Sequence, residues 1–431
     1  MTRPHPAPRG AFGAAVADRP APSLARAQGG GPGVVAPTLD IGVIGGCGHV
    51  GLPLAIGLAL RGHHVCLLDV NATARAKVAR GVMPFAEEGA PEALRQALDA
   101  GHLRVASEEA DLAEAEVVLL VVGTPVDGHL SPALAAIHEV LEQYRPHLRD
   151  GQLMVLRSTM YPGTAEGVWR WLQAQRLQID LAVCPERIAQ GAALREIAEL
   201  PQIVAGFTPA AVDRAAVLFA SLGCEIVQVG PKEAELAKLF ANAWRYIRFA
   251  AANQFLMMAE DLGADFEEVF RAMTHNYPRA ADLPRPGFAA GPCLFKDTMQ
   301  LAASTNNRFF LGHAAMMANE GLPQYVTARL RGRYGLSGRT VGLLGMAFKA
   351  GVDDARDSLA YKLKALLELE GATVLCTDPY VDDPALLPLG AVVAAADVLV
   401  ITTPHPCYRQ AELGRAPVVD IWNFLGRGSR V

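Results

Sequence analysis

Residues 39–71, "LDIGVIGGCGHVGLPLAIGLALRGHHVCLLDVN", constrain the fold of this chain more than any other stretch. Apolar Ile41 to Ile44 lead into glycines, an apolar run from Leu52 to Leu60 follows, and a second apolar run ends at Asp69. That order reads as strand, turn, helix and strand, a βαβ unit. Gly46, Cys47, Gly48, His49, Val50 and Gly51 supply the G-x-G-x-x-G spacing. In that context the first glycine makes a tight turn, the second admits a pyrophosphate close to the backbone, and the third lets helix pack on strand. Asp69 lies 18 residues beyond Gly51, where a carboxylate can accept from ribose hydroxyls and would repel a 2′-phosphate. Val70, Asn71 and Ala72 offer no arginine to bind such a phosphate, so NAD is expected over NADP.

Three more apolar runs end at "GTP" (Thr124, Pro125), "STMYPGT" (Thr159) and "CPERIAQG" (Glu186). Ligands of open α/β sheets gather outside the carboxyl ends of strands, which makes Thr124, Thr159 and Glu186 site candidates by position. A threonine ahead of a proline also serves as a plain turn residue, and Glu186 could cap a loop. Another strand, helix and strand carry this first domain to about Gly230.

From Pro231 the chain runs more than thirty residues without an internal Pro or Gly until Gly263, which predicts one long helix. Lys238, Asn242, Arg245, Phe249 and Asn253 fall on one face, a row that either solvent or a site could explain. After a loop and a second helix the βαβ pattern returns in "RTVGLLGMAFKAGVDDARDSLAYKLKALLELEGATVLCTDPY". Its loop lacks the glycine triplet and carries Lys349, Asp354 and Arg356, which suit a phosphorylated ligand or a solvated loop. The predicted fold class is α/β, with two Rossmann-like doubly wound domains joined by a long central helix and a helical region. The expected segments are a disordered extension over 1–38, a dinucleotide domain over 39–230, a helical region over 231–330 and a second ligand domain over 331–431.

A net charge of −5 over 431 residues, with no long basic run, argues against nucleic acid or anionic membrane as partner. No uninterrupted apolar run is long enough for a membrane helix, and "AFGAAVA" is too short for a signal-peptide core. The seven cysteines form no C-x-x-C pair, so neither a metal site nor a complete disulfide framework is expected. These readings place the protein in the cytoplasm.

Cys293 stands in "AAGPCLFKDTMQ", directly after Gly291 and Pro292 and four residues ahead of Asp297. Proline favours the first position of a helix, which would put Cys293 in the first turn with Asp297 on the same face. Free N–H groups and the helix dipole there favour a thiolate nucleophile. A buried structural cysteine is the other reading.

Together, "GxGxVGLPLA", "GTP", "STMYPGT", "PERIAQG", "ELAKLFANA", "GPCLFKD", "NEGLP", "GLLGMAFKAGVDDARDS" and "TDPY" stand in the order seen in the UDP-glucose/GDP-mannose 6-dehydrogenase family. The resemblance spans nearly everything after residue 39. It implies NAD as cofactor, a UDP-sugar as substrate, a homodimer with the helical region as its dimerisation region, and a four-electron oxidation of the sugar C6 alcohol to a uronic acid through a cysteine thioester. By this resemblance Cys293 is the nucleophile, while Lys238 and Asp297 assist alcohol deprotonation. Glu186 activates water for thioester hydrolysis, and Thr159 and Asn242 line the reacting centre. Lys349 and Arg356 contact the sugar nucleotide, with Arg187, Tyr277, Phe288 and Gly291 also around the substrate; Asn319 lies in the matching "NE" segment. Phe295, Leu359, Gln254 and the extra Gly45 depart from the family pattern, and none removes a reacting group. The "CPERIAQG" and "NYPRA" stretches look like those of relatives acting on UDP-N-acetylhexosamines, with UDP-glucose the other substrate expected. The competing reading is a two-electron β-hydroxyacid dehydrogenase, which would need neither Cys293 nor the C-terminal domain. A catalytically silent nucleotide-binding protein is a third reading, and the intact Cys293, Lys238 and Asp297 set gives it no support.

Overall fold

The computed structural model describes residues 37–124, 135–289, 291–428 and 431. Pro125 and nearly all of the extension expected at 1–38 lie outside the described residues. The first half forms one eight-stranded sheet from β1 (Asp40–Ile44), β2 (His64–Leu68), β3 (Leu103–Val105), β4 (Val117–Leu120), β5 (Leu153–Leu156), β6 (Asp180–Val183), β7 (Gln202–Gly206) and β8 (Ile226–Gln228). Its spatial order is β3-β2-β1-β4-β5-β6-β7-β8. The strands read as continuous apolar runs because both faces are covered. Ile41, Val43, Val65, Leu67, Val117 and Leu119 enter one core. Ile44, Leu68, Val118 and Leu120, the alternate positions, enter the other. The pattern breaks at one pairing, where β7 meets β6 antiparallel through Ala182–Gly206 and Val183–Ala205; β8 pairs parallel with β7, so both run against the other six strands.

A 31-residue helix, Pro231–Asp261, follows with proline at its start and spans about 46 Å at 1.5 Å per residue. It packs against the helices Leu294–Ser304 and Phe310–Tyr334. The polar row read from its sequence divides: Asn242 and Asn253 are buried, whereas Arg245 is exposed. The second sheet consists of β9 (Thr340–Leu344), β10 (Thr373–Thr377), β11 (Val398–Ile401) and β12 (Val418–Asp420), all parallel, in the order β10-β9-β11-β12. Val341, Leu343, Val398 and Val400 face one core, and Leu344, Leu399 and Ile401 the other. In both sheets the strand order reverses beside a first strand, at β1 and at β9, which sets a ligand crevice at each carboxyl end.

Candidate active site

At the first crevice, Gly45 has φ +79° and a Cβ there would stand 2.1 Å from the Val121 carbonyl oxygen. The extra glycine ahead of the triplet is therefore imposed by the approach of the segment after β4. A Cβ at Gly51 would stand 2.4 Å from the Gly45 oxygen, whereas one at Gly48 would meet only that same oxygen, at 3.7 Å. The outer face at Gly48 is thus open to a ligand. Val50 precedes the helix Gly51–Ala59 without any side-chain cap; the Leu52 N–H is taken by the Gly48 carbonyl at 3.0 Å and Pro53 has none, so the N–H groups of His49, Val50 and Gly51 are the ones left to meet an anion. Asp69 accepts from the N–H of Cys47 at 2.9 Å and of Asn71 at 2.8 Å. Each oxygen retains a lone pair for a ribose hydroxyl. His49 lies 4.0 Å from the Phe85 ring, its Nδ1 buried without a partner; burial pushes its pKa down and keeps it neutral. These residues fit a dinucleotide.

The second group gathers around Cys293. The cysteine occupies the N-cap of the helix Leu294–Ser304, with φ −104° and ψ −50°. It therefore precedes the first turn in which the sequence places it. Gly291, at φ +112°, delays the helix: a Cβ there would run into the Phe348 ring at 2.5 Å. The Cys293 carbonyl still accepts from the Asp297 N–H at 2.9 Å. Asp297 is fully buried; its Oδ2 accepts from Asn242 Nδ2 at 2.6 Å. Its Oδ1 lies 3.3 Å from the Lys296 ammonium and makes no hydrogen bond. Lys238 lies within electrostatic reach of Asp297, Cys293 and Glu186, and desolvation pushes its pKa down against the pull of those three groups.

Cys293 is open to solvent yet ringed by protein. Desolvation first, and Asp297 second, push its thiol pKa up, while Lys238, Lys296 and Arg356 pull it down without prevailing. The surroundings therefore favour the thiol, contrary to the thiolate expected from a helix start. Glu186 is buried, bound through Oε2 to Arg157 Nη2 and through Oε1 to the N–H groups of Arg187 at 2.6 Å and Ile188 at 2.9 Å. Thr124 Oγ1 donates to the Thr159 carbonyl at 2.6 Å and accepts from Lys296 Nζ at 3.4 Å.

The loop after β9 reaches back over the first crevice. Asp353 accepts from the Ala86 N–H at 2.9 Å, Gln190 Nε2 donates to Asp354 at 3.2 Å, and Lys349 Nζ donates to the Gln190 carbonyl at 3.0 Å. Arg356 is held by Asp354 through Nε at 2.9 Å and Nη2 at 2.6 Å and lies close enough to Cys293 to influence its thiol. Three residues implied around a substrate have contacts outside the Cys293 cluster. The Arg187 guanidinium bonds the Pro201 carbonyl, Phe288 is 3% exposed in the core with Leu322 and Met346, and Tyr277 is exposed under Arg279. Sequence reasoning missed Arg157, Lys296 and Gln300, whose Nε2 donates to the Thr124 carbonyl at 3.2 Å. Lys296 sits inside "GPCLFKD" beside Asp297, a signal available in the sequence.

Comparison with known proteins adds independent findings. Residues 39–223 match the NAD binding domain of the UDP-glucose/GDP-mannose dehydrogenase family, residues 232–320 its central domain and residues 342–427 its UDP binding domain. The UDP-N-acetyl-D-mannosamine dehydrogenase of Methanocaldococcus jannaschii is 28% identical, over 84% of this chain and 85% of its own. The NDP-N-acetyl-D-galactosaminuronic acid dehydrogenase of Ralstonia nicotianae is 30% identical, over 86% of this chain and 92% of its own. The structure of a UDP-glucose dehydrogenase from Pyrobaculum islandicum superposes with a TM-score of 0.82 at 28% identity, covering 89% of this chain and 94% of that one. With three consecutive segments matched in order and relatives aligned along nearly their whole length, the chain belongs to the UDP-glucose/GDP-mannose dehydrogenase family.

Proposed function

We propose that this NAD-dependent enzyme oxidises the C6 alcohol of a UDP-N-acetylhexosamine to the uronic acid through a thioester on Cys293. The observation that carries the reading is the meeting of Cys293, Asp297, Asn242 and Lys238 between the dinucleotide crevice and the Arg356 loop. Asn242 turns Oδ2 of Asp297 and leaves Oδ1 without a hydrogen bond, able to take up the alcohol proton directly or through water. Lys238, whose charged form is disfavoured by desolvation and favoured by Asp297, Cys293 and Glu186, donates to the alkoxide that develops beside it. NAD bound at the glycine loop supplies the hydride acceptor for both oxidations. The Cys293 sulfur adds to the C6 aldehyde as a thiohemiacetal, which loses the second hydride and becomes a thioester. Glu186 directs water to it, releasing the carboxylate and the thiol.

In this reading the N-terminal α/β segment binds NAD, the central helices position the thiol, and the C-terminal segment binds the UDP moiety through Lys349 and Arg356. The names of the two curated relatives and the "CPERIAQG" stretch support an N-acetylhexosamine; UDP-glucose is the second reading, supported by the Pyrobaculum islandicum structure. A homodimer would cover Phe240, Trp244 and Met258, which the long helix leaves 53%, 55% and 58% exposed. Among the described residues no helix is long and apolar enough to cross a membrane; the cytoplasm is the proposed location. A panel of UDP- and GDP-sugars, assayed for NADH formed per sugar consumed, tests the reading. About two NADH with a UDP-N-acetylhexosamine is the expected result. One NADH would indicate a two-electron dehydrogenase, and a marked preference for UDP-glucose would replace the sugar.

A further inference from the structure

The buried Arg157 belongs to no step described so far. It follows β5, directly beside the end of β6, and its side chain is 1% exposed. Nη1 donates to the Cys184 carbonyl at 2.9 Å and to Gln202 Oε1 at 2.6 Å. The guanidinium carbon lies 4.8 Å from the centre of the Phe219 ring, Nη2 pairs with Glu186 Oε2, and the Glu186 N–H donates to the Arg157 carbonyl at 3.2 Å. Nε alone lacks a partner. The guanidinium is thus fastened on three sides and cannot turn.

A buried ion pair is a weak source of stability, since apolar residues of similar volume commonly serve as well. This pair stands at the carboxyl ends of two adjacent parallel strands, where sheets of this kind place their ligands. Its carboxylate also lies within reach of Lys238 in the cysteine cluster. With Oε1 fixed by two backbone N–H groups and Oε2 by Arg157, the lone pairs left on Glu186 point in one direction.

We infer that Arg157 is a positioning residue for thioester hydrolysis: it sets the orientation in which Glu186 meets the attacking water, and it takes no part in either oxidation. The inference rests on the thioester reading and on the role given there to Glu186. Without Arg157 the carboxylate can rotate about its last bond, and the acyl group waits on Cys293.

The full-length enzyme is mixed with saturating NAD and the accepted UDP-sugar, and intact-protein mass and NADH release are followed together. Arg157→Gln is expected to give a burst of about two NADH per site, a uronyl adduct on Cys293, and a steady rate at least about tenfold lower, with KM falling alongside kcat so that kcat/KM for both substrates stays within about twofold of wild type. Glu186→Gln should show the same adduct, and the double variant should be no slower than the worse single variant. Arg157→Lys, which keeps the charge and loses the fork, should regain part of the rate. If Arg157→Gln fails to fold, Arg157→Lys carries the test, with an adduct intermediate between wild type and Glu186→Gln expected. An adduct in Glu186→Gln with none in either Arg157 variant overturns this inference and leaves the thioester reading standing. No adduct in any variant overturns both.

Discussion

Asn253 holds Gly287 from both sides: its Oδ1 accepts the glycine N–H at 2.8 Å and its Nδ2 donates to the glycine carbonyl at 3.1 Å. The same Nδ2 donates to Asn319 Oδ1 at 2.9 Å, and Asn319 donates to the Tyr246 carbonyl at 3.0 Å. Both asparagines are fully buried. The network ties the long helix and the helix Phe310–Tyr334 to the segment that leads into Cys293. Asn253→Leu strands the Gly287 N–H and the Asn319 oxygen away from water, the Gly287 carbonyl keeping the Ala289 N–H at 2.8 Å, and is expected to cost about 1–3 kcal/mol in urea unfolding. Activity of the folded fraction should fall as well. Unchanged stability would show the network to be dispensable.

Cys293→Ser keeps the shape of the centre and supplies a poorer nucleophile and a far worse leaving group. Uronate formation is expected to drop at least about a hundredfold, with wild type giving two NADH per sugar. Uronate formed at near wild-type rate by this variant would rule out the covalent intermediate.

Arg356 spends Nε and Nη2 on Asp354 and is 62% exposed, leaving Nη1 for a ligand. A charge-assisted hydrogen bond to a diphosphate is worth about 1.5–3 kcal/mol, and exposure brings this site to the lower end. Arg356→Ala is expected to raise KM for the sugar nucleotide about tenfold while leaving KM for NAD nearly constant. Initial-rate kinetics with each substrate varied in turn decide it.

Asp69→Ala removes the acceptor that fixes the glycine loop through Cys47 and Asn71 as well as the ribose partner of the proposed reading. Weaker NAD binding, a narrowed preference over NADP and a modest loss of stability are all expected. Calorimetric titration with each dinucleotide measures the first two.

Burial alone would push Asp378 up, but hydrogen bonds from His405 and from the N–H groups of Tyr380 and Ala347 outweigh it and hold the carboxyl at about 2. A carboxyl depressed below its unfolded value stabilises the fold above that value, and the contribution disappears as pH falls through the folded one. Wild type should therefore lose on the order of 2–3 kcal/mol from this group as pH falls from about 5 to about 1, most of it between about pH 4 and pH 2. Asp378→Asn should lack that component of the pH dependence in urea titrations.

Local pattern accounts for what was legible in the sequence. The βαβ unit around Gly46–Gly51 and the helix that stops before Gly263 both follow from neighbouring residues alone. What escaped depends on contacts between distant segments. Arg157 and Glu186 meet because β5 and β6 are neighbours in the sheet, and the antiparallel entry of β7 is a choice of topology. Phe288, implied beside a substrate by the resemblance, packs with Leu322 and Met346 in a core drawn from distant segments. The helix carrying the cysteine begins later than its proline suggests, because Phe348, from the loop after β9, occupies the space beside Gly291.

That last contact joins the evolutionary histories of two loops. At position 291 the backbone angle of +112° and the adjoining ring both oppose any side chain, so a smaller residue at 348 lifts only one of the two obstacles. Substitution should therefore run in one direction among descendants of this sequence: Phe348 is free to shrink while Gly291 stays, and Gly291 cannot grow first. A lineage that reshapes the loop after β9 can do so without disturbing the glycine two residues ahead of Cys293.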